Sequence, residues 1–219
     1  MNIDIKYDFD RRRRIGLIEA IWGEDKSIAQ LKNVAQQVLT QNEVVFITRI
    51  NKEKSKPLIE IYPDAKFYND ANCLIIGESP YKLNTQKKVA IISGGTSDLN
   101  VALEAKLALN VHGVDSRTFI DVGVAGIHRL FSVLDEINKY DVLVVCAGME
   151  GALPTVVGGI CPQPIIAVPI SVGYGVSKNG IAALNSMLSS CSPGITVMNI
   201  DNGYGAAMAA LRILKSFSS

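Results

Sequence analysis

From Lys88 onward the chain repeats one rhythm: an apolar, β-rich run, then a turn of Gly, Ser and Asp, then a helical pattern. The runs are VAIIS (Val89 to Ser93), DSRTFID (Asp115 to Asp121), DVLVVCAG (Asp141 to Gly148), PIIAVPIS (Pro164 to Ser171) and ITVMNID (Ile195 to Asp201). Three of them are nearly continuous in Val, Ile and Leu, which is how strands buried on both faces of a parallel sheet read. Helices are signalled by LNVALEAKLALNVHG, with Gly113 as its C-cap, by IHRLFSVLDEINKY, by KNGIAALNSMLSSC and by GAAMAALRILKSF.

Strand and helix in alternation imply right-handed crossovers and a doubly wound α/β fold. The expected architecture is a three-layer, Rossmann-like (flavodoxin-like) parallel sheet over residues 86–219. Residues 1–85 read differently. SIAQLKNVAQQVLTQ is a helical pattern, VVFITRI a strand and DANCLIIG a second short apolar run, in a more charged background. That predicts a small N-terminal α/β lobe, with KLNTQKK (Lys82 to Lys88) as linker.

A chain of 219 residues that is 48% apolar buries roughly 70% of its unfolded surface, enough to fold without disulfides or a structural metal. The net charge of +1 supplies no field to recruit nucleic acid or acidic lipid, so a small polar or nucleotide-like partner is the better expectation. RRRR (Arg11 to Arg14) is surrounded by Asp4, Asp8, Asp10, Glu19, Glu24 and Asp25, and reads as a salt-bridged helix face. No basic, apolar leader opens the chain, and prolines and glycines cut its longest uncharged stretch. Neither a signal peptide nor a membrane span is expected, and a cytoplasmic location fits. The four cysteines show no CxxC pairing. Reduced thiols follow, with Cys73 and Cys146 in the core and Cys161 in a proline-flanked connection.

In an open parallel sheet, ligands collect at the carboxyl ends of the strands. The turns there are SGGTSD (Ser93 to Asp98), DVGVAGIHR (Asp121 to Arg129), AGMEGALP (Ala147 to Pro154), SVGYG (Ser171 to Gly175) and DNGYG (Asp201 to Gly205). Each holds at least two glycines beside a hydroxyl, carboxylate or His/Arg pair, so together they predict a site. SGGTSD offers backbone N–H groups and three hydroxyls, either as a phosphate or ribose cradle or as a helix cap; it is neither a Walker A loop nor a GxGxxG. His128 and Arg129 begin a helix, well placed for an anion, whereas His112 beside a C-cap glycine suits a helix-dipole role. Glu150 is the single charge between Asp141 and Lys178. Cys191, in SSCSPG, falls where a helix ends, a setting that disfavours a thiolate unless a cation or base is near. HxxxH and CxxC ligand spacings are absent, so a tight zinc or iron site is disfavoured. A magnesium bridged by phosphates and one or two carboxylates stays open.

At these turns the chain resembles LarB, the carboxylase/hydrolase that begins biosynthesis of the nickel-pincer nucleotide cofactor. It is more distantly similar to the aminoimidazole ribonucleotide carboxylases and mutases of purine synthesis. The resemblance rests on DFDRRRRIGLIEAIWGEDKS, GGTSDLNVALEA, DVGVAGIHRL, VVCAGMEGALPTVVGG, PISVGYG, LNSMLSSCSPG and NIDNGYGAA. The purine enzymes carry their acid/base histidine in an Ala-Ala-His-Leu-Pro-Gly loop; here the matching stretch is GALPT, with Ala152 at the histidine's place.

The resemblance implies carboxylation at C5 of the pyridinium ring of nicotinic acid adenine dinucleotide. Phosphoanhydride hydrolysis then gives pyridinium-3,5-biscarboxylic acid mononucleotide and AMP. It implies Cys191 as the nucleophile that adds to the ring, and Glu150 as base or carbon dioxide positioner, with burial there disfavouring the charged carboxylate. Ser93, Gly94, Gly95, Thr96, Ser97 and Asp98 would hold phosphate and ribose, and Asp98 or Asp201 a magnesium. Asp121, His128, Arg129, Gly148, Met149, Gly151, Ser171, Gly173, Tyr174, Asn202 and Gly203 would complete the pocket. Arg11 to Arg14 and Lys26 would belong to a lobe that helps close it. A homo-oligomer, a dimer-based octamer, is implied as well. The rivals are an aminoimidazole ribonucleotide carboxylase or mutase and a non-catalytic nucleotide sensor.

Overall fold

The computed structural model describes residues 6–216. Asp4 and Phe217, at the edges of two segments discussed above, lie outside the described residues. Two compact units are present: one runs to Lys82 and includes Val111–Gly113, the other holds Leu83–Asn110 and the chain from Val114 on.

The first unit runs α1 (Arg11–Ile15), β1 (Ala20–Trp22), α2 (Ile28–Thr40), β2 (Val45–Thr48), α3 (Lys52–Ile61), β3 (Lys66–Tyr68) and β4 (Cys73–Ile76). Its sheet has the order β1-β2-β4-β3, with β1 parallel to β2 and the other pairs antiparallel. Ser27 and Gln30 close a reciprocal capping box at the start of α2, which satisfies two amides the helix would leave unpaired. Leu31, Val34 and Val38 then recur on one face of α2 and pack with Ile21, Ile47, Leu58 and Leu74. The arginine run is a salt-bridged helix face as expected: Arg12 meets Glu43 at 2.6 Å, Arg13 meets Asp10 at 2.7 Å and Arg14 meets Asp8 at 2.7 Å.

β1, β3 and α3 were not foreseen. Three residues are too few to display alternation, and Pro57, inside α3, reads as a breaker because it lacks an N–H. His112 is also corrected. It is buried, its Nε2 accepts the Ile18 N–H at 2.9 Å and its ring stacks on Tyr81, so it acts as a neutral acceptor and not as a charge at a helix end.

The second unit runs β5 (Asn84–Ser93), α4 (Leu99–Val111), β6 (Val114–Phe119), α5 (Ile127–Ile137), β7 (Val142–Ala147), α6 (Leu153–Ile160), β8 (Ile165–Pro169), α7 (Ile181–Leu188), β9 (Ile195–Val197) and α8 (Gly203–Ser216). All five strands are parallel, in the order β6-β5-β7-β8-β9. In order of appearance within this unit that is 2-1-3-4-5, the flavodoxin-like order. On one face Ala90, Ile92, Leu143, Val145 and Ala167 pack under α5, α6 and α7 through Leu130, Val157 and Met187. On the other, α8 lies on β7 and β8, with α4 beside it. Burial on both faces is why β7 reads VLVVCA without polar alternation.

The boundary between the units falls at the start of KLNTQKK, between Lys82 and Leu83, but the rest of the segment is not a linker, because β5 begins at Asn84 and pairs with Val114 ahead of a register shift before Lys88. Its polar, exposed residues hid that start. α6 also escaped the sequence reading, since Val156, Val157, Gly158 and Gly159 are poor helix formers; Pro154 in its first turn was the available signal.

Ile92 is fully buried at the centre of this sheet. Ile92→Ala is expected to cost about 2–5 kcal/mol of unfolding free energy, read as a lower urea midpoint with an unchanged slope.

Candidate functional site

Beyond the ends of β5 to β9 the turns are joined by backbone hydrogen bonds. Val122 N–H reaches Ser93 O, Gly94 N–H reaches Cys146 O, Ile170 N–H reaches Ala147 O and Asp201 N–H reaches Pro169 O, each at 2.9 to 3.1 Å. Such close approach requires glycine at two places. A Cβ on Gly123 would stand 2.5 Å from Gly94 O, and one on Gly148 2.5 Å from Val172 O. Asp121, Met149 and Asp201 take the left-handed conformation, with φ of 61°, 54° and 56°. Strain of this kind in residues other than glycine is held where the surrounding bonds over-determine the turn.

Between these turns opens a cleft of about 450 Å³, within the size range of small-molecule sites. It lies where the strand order reverses, between β5 and β7. Gly94, Gly95, Ser97 and Asp98 line it from the first turn, and Gly123, Val124, Ala125 and Arg129 from the second. Ala147, Gly148, Met149, Glu150, Ala152 and Leu153 line it from the third, and Val172, Gly173 and Tyr174 from the fourth.

Ten of the anticipated site residues therefore meet at one cleft: Gly94, Gly95, Ser97, Asp98, Arg129, Gly148, Met149, Glu150, Gly173 and Tyr174. The others lie elsewhere. Ser93 is fully buried and donates to Gly95 O; Thr96 is exposed outside the lining. Asp121 pairs with Arg129 at 2.5 Å, and His128 is exposed one residue away. Gly151 packs against Ala183, Ser171 N–H donates to Asp201 Oδ1 at 2.8 Å, and Gly203 packs on Val101. Asn202 Oδ1 accepts from Gly205 N–H at 2.7 Å, which caps α8. Cys191 is exposed on the loop after α7 and is not among the lining residues. Apolar lining from Val124, Ala125, Leu153 and Val172 was missed because such residues read as core.

The burial expected of Glu150 is found at Asp98 instead. Glu150 is exposed at the rim, because the turn carries it outward past Met149. Asp98 is the buried acid, 3% exposed, at the start of α4. Its Oδ2 accepts the Gly95 N–H at 2.9 Å and its Oδ1 lies 3.4 Å from Ser97 Oγ. Desolvation pushes its carboxyl above the ordinary range; the bonds from Gly95 and Ser97 pull it down, and the charge of Asp201 pushes it up. Among the thiols, Cys73, Cys146 and Cys161 are buried as core residues, and burial pushes the Cys146 thiol up steeply.

No group of three or more His, Cys, Asp and Glu that would cage a metal occurs among the described residues, nor is any helix there long and apolar enough to cross a membrane.

A flavodoxin-like sheet with a glycine-walled cleft and a buried acid at its switch point defines an α/β domain built to take a small ligand. AIR carboxylase matches residues 88–218, and the LarB/PurE-like N-terminal domain matches residues 3–78. The chain belongs to this LarB-like, AIR carboxylase-related family, which is of the carboxylase/mutase type. It is 41% identical over 219 residues to an uncharacterized protein of Methanocaldococcus jannaschii, covering 96% of this chain and 84% of that one. It is 37% identical over 131 residues to the N5-carboxyaminoimidazole ribonucleotide mutase of the same organism, covering 58% of this chain and 78% of that one.

Because the folded state raises the Asp98 carboxyl, its contribution to stability is complete below the unfolded value of about 4 and is lost as pH rises through the folded value. Asp98→Asn, whose Oδ1 can keep the Gly95 bond, should therefore raise Tm at neutral pH. The gain should shrink to nothing as pH falls toward about 4 in calorimetric scans.

Proposed function

We propose that the cleft carboxylates the pyridinium ring of nicotinic acid adenine dinucleotide at C5 and hydrolyses its phosphoanhydride, yielding pyridinium-3,5-biscarboxylic acid mononucleotide and AMP. The observation that carries this reading is what lines the cleft: two carboxylates, the hydroxyls of Ser97 and Tyr174, backbone amides and one arginine, with neither histidine of the chain among them. Ala152 lines it at the place where the purine enzymes keep their proton-transfer imidazole. Chemistry on an aminoimidazole would lack that agent. A pyridinium ring needs instead a nucleophile and a carboxylate base.

The steps balance as follows. The Cys191 thiolate forms a C–S bond to the ring, and the resulting dienamine is nucleophilic at C5 and attacks carbon dioxide. A carboxylate then takes the C5 proton, the C–S electron pair returns to sulfur and the ring regains aromaticity. Water cleaves the phosphoanhydride, with AMP leaving. Burial suits Asp98 to the proton transfer, since a raised carboxyl exchanges protons nearer neutral pH. Glu150, at the rim, suits carbon dioxide or the phosphate end.

The donor set fits a magnesium that arrives on the substrate's phosphates, with Glu150 as its carboxylate. Asp98 is already engaged with Gly95, and Asp201 with Ser171 outside the lining. Such an ion would neutralise charge at the phosphoanhydride. The exposed apolar residues Val172, Tyr174, Val176, Ile181 and Leu188 support a homo-oligomer through that segment, which light scattering of Leu188→Asp would reveal as a smaller particle.

Incubation with the dinucleotide, bicarbonate and magnesium, followed by mass analysis, should give AMP and a carboxylated mononucleotide. Cys191→Ala should abolish carboxylation, and Asp98→Asn should slow it about 100-fold with the dinucleotide still bound. If folded protein makes neither product, the reading is wrong. The likeness to the mutase supports a second reading, an aminoimidazole ribonucleotide carboxylase or mutase. Conversion of that nucleotide at a rate indifferent to Cys191→Ser would establish it.

A further inference from the structure

We infer that Thr155 and Gly158 of α6 form a seat that holds the Cys191 loop beside the cleft, making them positioning residues for the thiol. This deepens the proposed function and rests on its use of Cys191. The Ser190 and Thr155 hydroxyls are hydrogen-bonded at 2.7 Å, and Ser192 N–H donates to Ser190 Oγ at 3.2 Å. On the other side of Cys191, Ser192 rests on the bare backbone of Gly158. A Cβ there would meet Ser192 Oγ at 2.6 Å, Ile195 Cδ1 at 3.2 Å and Ser192 Cβ at 3.3 Å. Thr155 and Gly158 are three apart on the helix and so share one face. The residues on both sides of the thiol are thus fixed to a single surface.

That surface belongs to the helix whose first turn walls the cleft. Ala152 and Leu153 line it, and Thr155 follows Ala152 by three residues, a rise of about 4.5 Å. The Ser190 side of the Cys191 loop is therefore tied to the helix about one turn from the residues that line the cleft. Glycine at 158 in an eight-residue helix carries a propensity cost of about 1 kcal/mol relative to alanine, and this seat is its physical reason.

The test uses the full chain in two assays: carboxylation kinetics, and iodoacetamide labelling read by mass, in which exposed Cys191 reacts ahead of the three buried thiols. Thr155→Val keeps the shape and deletes the hydroxyl. It should lower kcat about tenfold or more with little change in KM for the dinucleotide, and change the labelling rate of Cys191 several-fold at constant Tm. Thr155→Ser should restore both. Gly158→Ala should do the same damage, and adding Ser192→Ala, which removes the clashing Oγ, should reverse it. Wild-type kcat and labelling in both Thr155→Val and Gly158→Ala would overturn the seat. Full carboxylation by Cys191→Ala would instead overturn the thiol's proposed role, and the seat would then be judged on labelling alone.

Discussion

The site depends on what happens at the end of β5, where the strand order reverses. Ser93 O is taken by Val122 on one side and Gly94 N–H by Cys146 O on the other, so the last two residues of that edge bond to both neighbours. Gly95 and its successors have no strand left to pair with. They turn at once into a helix, and Asp98 in its first turn folds its carboxylate back onto the Gly95 N–H. A gap opens between the diverging turns because β5 can follow only one neighbour at a time.

A carboxylate buried at that gap is costly unless hydrogen bonds replace its water. Here one backbone N–H does so closely and a serine hydroxyl more loosely. The compensation is incomplete, which is why the carboxyl is raised rather than depressed by its donors. Stability forgone at Asp98 and backbone strain at Asp121, Met149 and Asp201 fall on the same edge of the sheet. Within the second unit only Asn179 among the described residues adds another non-glycine residue of positive φ, so most of that unit's backbone strain of this kind sits at the site.

The parallel sheet was legible because β7 and β8 are buried on both faces, so burial itself writes an unbroken apolar run. The carboxyl-edge turns were legible because backbone contact at Gly123 and Gly148 excludes any side chain. The acids were not told apart. In sequence Glu150 is flanked by apolar residues and Asp98 follows a polar run, yet the turn exposes the former and the latter is buried just ahead of α4. Local composition reports the neighbours along the chain, whereas desolvation is set by neighbours in space. α6 was illegible for a related reason. Its two glycines lower helix propensity, and what favours Gly158 is contact with a loop more than thirty residues later.

That helix explains how one scaffold can change its chemistry. Ala152 stands at the N-cap of α6 and Leu153 begins its first turn. The positive end of the helix dipole there favours anions and disfavours a protonated imidazole. An alanine leaves that end open to a carboxylate or phosphate of the ligand. The work an imidazole would do then has to come from other groups of the same frame. Asp98 faces the cleft from the turn just before α4, and the Cys191 loop is tied to α6. In the proposed reaction, acid and nucleophile placed at these two positions would leave the strands, the close glycine turns and the cleft they enclose unchanged, so the same fold could serve a different reaction.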